Sequence, residues 1–162
     1  MAKTPQDLFD CLQSLKIEIQ TYHHQALNTV AQSQAWRSDL PGAHCKNLFL
    51  KDKKQALWLV VARHNAQIDL KELKKKIGSA HLSFAKPDLL MDVLGVQPGS
   101  VTPFALINDP EKRVTLILDS HMMAHDLLNY HPLNNEMTTT LKTQDFRRFI
   151  EHCGHPFQEV DL

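Results

Sequence analysis

Residues 42–63 read GAHCKNLFLKDKKQALWLVVAR. Two apolar runs, Leu48–Leu50 and Leu57–Ala62, flank the charged stretch Lys51–Gln55, which predicts a β-hairpin with strands at about 43–50 and 56–63. Lys46 and Asn47 stand immediately ahead of the first apolar run. A cation at the edge of a buried strand is costly unless something anionic or strongly polar meets it. Lys46 is therefore the first candidate for chemistry. Strand neighbours point to opposite faces, so if Cys45 enters the core, Lys46 looks into a cleft or water.

Outward from the hairpin, Thr4-Pro5 opens a helix with an apolar stripe at Leu8, Cys11, Leu12 and Leu15. Lys16–Tyr22 alternates as a half-buried strand, and a short helix is expected over Thr29–Trp36. Asp69 caps a helix over Leu70–Ile77 that Gly78 stops, and Pro87 begins another over Asp88–Leu94 that Gly95 stops. Val96–Pro103 is a loop; Phe104–Ile107 and Arg113–Leu118 read as a second hairpin turning at Asn108-Asp109-Pro110. A short helix carrying Met122 and Met123, strands near 126–131 and 136–141, a final helix capped by Thr143 and closed by Gly154, and a strand at Phe157–Val160 complete the chain. Strand pairs with helices inserted between them imply an α+β fold: a curved, mainly antiparallel mixed sheet surrounded by helices. The doubly wound pattern is absent, because no GxGxxG occurs and strands do not alternate strictly with helices.

Composition sets bounds. A chain of 162 residues is one domain, 1–162, large enough to bury a core. Eighteen basic and eighteen acidic residues cancel, which argues against tight non-specific nucleic-acid binding and against DNA as a partner. The local clusters Lys51, Lys53, Lys54 and Lys71, Lys74, Lys75, Lys76 read first as solvated surface, and a transient RNA contact stays open. Three cysteines without CxxC spacing, no signal peptide and no apolar run of membrane-spanning length point to a cytoplasmic protein with free thiols.

Ten histidines invite a metal, and His121, His125 and His131 are the candidates. Zinc hydrolases place two histidines one helical turn apart with a glutamate base between them, and HMMAH has Met122 where that glutamate would stand. No metal and no cofactor is therefore expected. His44 beside Cys45 suggests a thiol nucleophile, but strand alternation aims the two side chains apart and favours a buried structural thiol. Neither GxSxG nor a Walker loop is present.

Taken together, GAHCKNLFLKDKK, then LSFAKPDLLMDVLGVQPGSVTPFALIND, then HPLNNEMTTTL, then a terminal helix with CGH, resemble one family. The chain is similar, over about residues 5–160, to the free-standing bacterial aminoacyl-tRNA editing proteins of the YbaK/prolyl-tRNA synthetase insertion-domain superfamily. Within it the resemblance is to the Ala-tRNA(Pro) deacylase (ProXp-ala) branch. It implies hydrolysis, in trans, of alanine mischarged onto proline tRNA. It assigns Lys46 the catalytic position and Asn47 a place in substrate binding. It maps the family's GxxxP loop onto Gly99, Ser100, Val101, Thr102 and Pro103, and gives His131 and Asn135 parts in positioning the substrate. Two departures stand out: Cys45 replaces a more usual hydroxyl residue, and His24-Gln25-Ala26-Leu27 stands where relatives carry an HPP-like sequence. The implied partner is the acceptor end of tRNA(Pro) carrying a small amino acid, with prolyl-tRNA synthetase or an elongation factor as a transient partner and no membrane. A second reading, a non-catalytic module binding the tRNA acceptor end beside a synthetase, differs from the first only in turnover.

Overall fold

The computed structural model describes residues 2–25 and 40–162. The helix expected over Thr29–Trp36 lies outside the described residues. Helix α1 spans Pro5–Ser14; Thr4 accepts from the Asp7 amide while the Asp7 carboxylate accepts from the Thr4 amide, a reciprocal cap. Lys16, with φ 58°, ends the turn that follows, so strand β1 is Ile19–His23 and starts later than the alternation from Lys16 predicts. The expected hairpin is present as β2 (Ala43–Asp52) and β3 (Leu57–Arg63), paired from Cys45↔Arg63 to Lys51↔Leu57. Helix α2 (Leu70–Ile77) is capped by the Asp69 carboxylate on the Lys71 amide and stopped by Gly78 at φ 73°. Strand β4 (Leu82–Phe84) and helix α3 (Pro87–Leu94) follow.

The second hairpin does not form. Pro103–Asn108 is a 3₁₀ helix, entered through Pro103 and capped by the Thr102 hydroxyl on the Phe104 amide at 3.3 Å. An apolar run of four residues carries no period that separates strand from helix, and here the proline and its cap decide. Asp109 then accepts from the amides of Arg113 and Val114 and from His155, turning the chain into β5 (Val114–Asp119). Helix α4 (Ser120–Met123), strands β6 (Leu127–Tyr130) and β7 (Met137–Lys142), helix α5 (Thr143–Cys153) and strand β8 (Phe157–Val160) complete the fold. Thr143 is the first residue of α5 rather than its cap, and its hydroxyl donates to the His125 carbonyl.

The strands form one mixed eight-stranded sheet in the order β1-β7-β6-β2-β3-β5-β8, with β4 on β2. Four pairings are antiparallel (β1–β7, β2–β3, β2–β4, β6–β7) and three parallel (β2–β6, β3–β5, β5–β8), in keeping with a mainly antiparallel mixed sheet. Both faces of its centre are buried, which explains the unbroken apolar run of β3. On one face Phe49, Leu59, Val61 and Leu116 pack with α1, α3 and α5; on the other, Leu50, Trp58, Val60 and Ile117 pack under Leu73 and Ile77 of α2. The first core holds an aromatic cluster in which Phe104 meets Tyr130 and Phe149 edge-on at 5.8 and 5.4 Å.

Candidate active site

Strand β2 changes neighbours along one edge. At Ala43 and His44 that edge pairs with Leu128 and Asn129 of β6; from Leu50 to Asp52 it pairs with Phe84 to Leu82 of β4. Between them, no strand among the described residues pairs with 45–49 on this edge, apart from the Ala85 amide donating to the Phe49 carbonyl at 3.0 Å. The His44 carbonyl, in contrast, accepts from the His64 amide on the β3 side at 2.8 Å. Main-chain groups alternate in direction along a strand, so the Cys45 amide completes the parallel pairing of His44 with Asn129, while the Cys45 carbonyl and the amide and carbonyl of Asn47 point into the opening. From Cys45 to Phe49 is four steps of strand, so this slit is roughly 13 Å long.

Alternation also sorts the side chains. Cys45, Asn47 and Phe49 face the larger core; His44, Lys46, Leu48 and Leu50 face the side covered by α2. Cys45 packs against Tyr130, and burial pushes its thiol up to about 12, which leaves it protonated and inert as a nucleophile. The fully buried Tyr130 phenol is likewise driven up, first by burial and then by Cys45, and it donates to the Met122 sulfur at 3.2 Å. Beneath them the buried Asp119 carboxylate is held by Arg63 through its amide and Nη1, at 2.9 to 3.1 Å.

Asn47 stands apart from this satisfied network. Its Oδ1 is buried and has no hydrogen-bond partner among the described residues. Such an atom costs about 1–3 kcal/mol, so its persistence calls for a donor that the described residues do not supply. Lys46, one residue earlier, turns to the other face and donates from Nζ to the Ala66 carbonyl.

The turn that follows β6 closes one end of the slit. His131 Nδ1 meets the Met137 carbonyl at 2.9 Å; a carbonyl only accepts, so Nδ1 carries the proton and Nε2 presents a lone pair. Burial above all, with a minor contribution from His24, holds His131 below its ordinary pKa against the opposing Met137 bond, so the ring is neutral near pH 7. The His24 ring centroid lies 6.3 Å away, and His24 Nε2 bonds the Thr138 hydroxyl at 3.0 Å. Tyr130 and Thr139 are register partners in the larger core's layer, so Thr138, His24 and His131 belong to the opposite side, the side of Lys46.

Gly99 sits in the 3₁₀ turn Pro98–Ser100, and a Cβ there would come within 3.2 Å of Asn135 Nδ2. The GSVTP loop thus rests against the turn that carries His131. Ser100 is largely buried, Val101 packs on the larger core, and Thr102 and Pro103 are interior: the Thr102 hydroxyl caps the 3₁₀ helix. Of the residues singled out by sequence, Gly99 and Asn135 come into contact, Lys46 and His131 share a face, and Asn47 faces the other way with Val101. His24 and Thr138 join His131 without having been predicted as site residues. A threonine run on a strand offers no signal of its own, and His24 shows one only through its ring contact.

Among the described residues no three His, Cys, Asp or Glu side chains group as a metal would require. Helix α4 ends at Met123, before His125, and His121 pairs with Asp161. No described helix is long and apolar enough to cross a membrane.

Residues 24–149 match the family of aminoacyl-tRNA editing domains. The chain is 37% identical over 151 residues to prolyl-tRNA synthetase associated domain-containing protein 1 of Danio rerio, covering 92% of this chain and 82% of that protein. It is 33% identical over 152 residues to the prolyl-tRNA editing protein ProX of Acetoanaerobium sticklandii, covering 93% of each. A vertebrate relative at this level removes the restriction to bacterial proteins that the sequence resemblance carries. In fold, the chain superposes on the crystal structure of a candidate trans-editing enzyme for prolyl-tRNA synthetase, with a TM-score of 0.70, 14% identity, and coverage of 100% of this chain and 98% of that one.

Proposed function

The chain belongs to the aminoacyl-tRNA editing domain family, and we propose that it is a trans-acting hydrolase that deacylates mischarged aminoacyl-tRNA, with Ala-tRNA(Pro) as its substrate. The observation that carries this reading is the buried Asn47 Oδ1, unpartnered among the described residues, beside a main-chain edge that no described strand pairs. An aminoacyl ester brings the donor that this acceptor lacks, its α-ammonium group, and the Asn47 carbonyl adds a second acceptor. The ester needs no covalent intermediate, because it is already activated and positioning with charge stabilisation suffices.

Lys46 exchanges its bond to the neutral Ala66 carbonyl for the charged phosphate and the developing oxyanion at the terminal adenosine, a stronger charge-assisted contact. Water attacks the ester carbonyl with the help of the terminal ribose hydroxyl. The bond from the carbonyl carbon to the ribose oxygen breaks, that oxygen takes up a proton, and free amino acid and tRNA leave. His131, neutral with Nε2 as an acceptor, shapes the pocket and orients a hydroxyl rather than serving as a base. Selectivity is by size: binding separates small apolar side chains by only roughly 1–3 kcal/mol per methylene, so an editor gains by excluding proline and admitting alanine.

Time courses of deacylation on proline tRNA charged with alanine, serine, cysteine or proline test this reading. Rapid loss of alanine with proline retained is the expected outcome. Binding of the charged tRNA with none of the four hydrolysed overturns it in favour of a non-catalytic acceptor-end module.

A further inference from the structure

Phe84 is 61% exposed, the largest exposure among the big apolar side chains of the described residues. Its place in the fold makes that exposure specific. Leu82 and Phe84 of β4 lie opposite Asp52 and Leu50 of β2, so both side chains are on the face of Lys46, Leu48 and Leu50. Leu82 is buried under α2, whereas Phe84, two residues on, has left that cover. It stands at the far end of the slit from His131, next to Ala85, whose amide holds the Phe49 carbonyl. From Leu50, its register partner, to Lys46 is four residues, roughly 13 Å of strand.

The surroundings are cationic. Lys53 and Lys54 are exposed at the β2–β3 turn, and the Lys53 amide donates to the His81 carbonyl at 3.1 Å, which brings that turn beside the start of β4. Lys86, two residues beyond Phe84, is exposed as well. Among the described residues none of the three lies in an ion pair. Among the described residues Asp52 forms no ion pair with them; its carboxylate accepts from the amides of Lys54, Ala56 and Ala80 and from Trp58 Nε1. Asp88 is the only acidic residue in 81–90. A bare aromatic ring flanked by unpaired lysines is the combination that binds single-stranded nucleic acid: bases stack on the ring and phosphates meet the cations.

We propose that Phe84 is a stacking platform for an unpaired base in the single-stranded 3′ end of the RNA substrate, with Lys53, Lys54 and Lys86 holding the adjoining phosphates. The proposal rests on the editing function above, and it adds where the strand lies before it reaches the slit. The terminal nucleotide passes Lys46 on this face, and the aminoacyl group enters between β6 and β4 toward Asn47.

The test is equilibrium binding of two uncharged RNA hairpins, one with a short single-stranded 3′ tail and one blunt-ended. Wild type, Phe84→Ala and Phe84→Trp are compared. Phe84→Ala is expected to weaken the tailed RNA roughly 5- to 100-fold and leave the blunt RNA unchanged, while Phe84→Trp retains affinity and gains fluorescence quenching by the tail. Equal affinity of wild type and Phe84→Ala for the tailed RNA overturns the proposal, as does an equal loss on both RNAs. Loss of binding to prolyl-tRNA synthetase in Phe84→Ala with RNA binding intact overturns it too, and assigns the ring to a protein contact. The readout is independent of turnover: a tail-specific loss in a protein that hydrolyses no aminoacyl-tRNA sinks the editing function and sustains the platform, and the reverse pattern does the opposite.

Discussion

Lys46 and Asn47 are consecutive in the chain and serve opposite faces of the sheet: the ammonium of one donates to the Ala66 carbonyl, and the buried amide oxygen of the other has no partner. A substrate that uses both must cross the sheet, which is possible only where the ladder is open. Among the described residues no strand pairs with β2 there, because its edge leaves β6 after His44 and joins β4 only near Leu50.

Lys46→Ala is expected to lower deacylation by roughly 10²–10³-fold, the cost of removing one charge-stabilising donor. The lysine is only partly buried and forms no ion pair among the described residues, so thermal stability stays close to wild type. Initial rates on Ala-tRNA(Pro) with a melting curve check both, and a variant with wild-type rates ends the assignment of Lys46.

Asn47→Leu separates stability from function. Replacing a buried acceptor that lacks a partner by an apolar side chain of similar size removes a penalty of about 1–3 kcal/mol. The variant is expected to resist urea better than wild type and to bind the aminoacyl end more weakly, with KM raised. A destabilised Asn47→Leu protein would mean that the amide is already satisfied in solution.

His131 gives a pH signature. Burial holds its native pKa below the ordinary value of 6.5, so in the window between the two the unfolded chain binds more protons than the native one. Stability from keeping the ring neutral is complete above pH 6.5 and is lost as pH falls from there toward the depressed native value. Urea unfolding between pH 5 and 8 is expected to show this loss in wild type and a smaller one in His131→Gln.

Gly99→Ala brings a methyl group within 3.2 Å of Asn135 Nδ2, so the Asn135 side chain has to give way by a few tenths of an ångström. The cost in the wild-type background is expected to exceed that in Asn135→Ala by about 0.5 kcal/mol or more, the coupling expected of residues in contact. A double-mutant cycle on unfolding free energy measures it, and additivity within error would deny the contact.

Much of the local structure was legible in the sequence. Helix α2 follows from its Asp69 cap, its apolar spacing and Gly78, and β8 lies at Phe157–Val160 as its pattern predicts. The misreadings share a cause. Phe104–Ile107 was too short and too uniformly apolar to declare a period, and the three-residue β4 fell below any periodicity signal. The candidate site residues came from the sequence, and their arrangement did not. Lys46-Asn47 announces itself beside an apolar strand, but the slit arises because β6 and β4, far apart in sequence, dock on one edge of β2.

That edge is framed by a continuous strand whose other side is zipped to β3 from Cys45 to Lys51. Its dimensions are therefore set by peptide geometry rather than by the bulk of any one side chain. A gauge made of backbone keeps its calibre when a side chain beside it is changed, so replacing Cys45 by serine is expected to leave the spacing between β6 and β4 as it is.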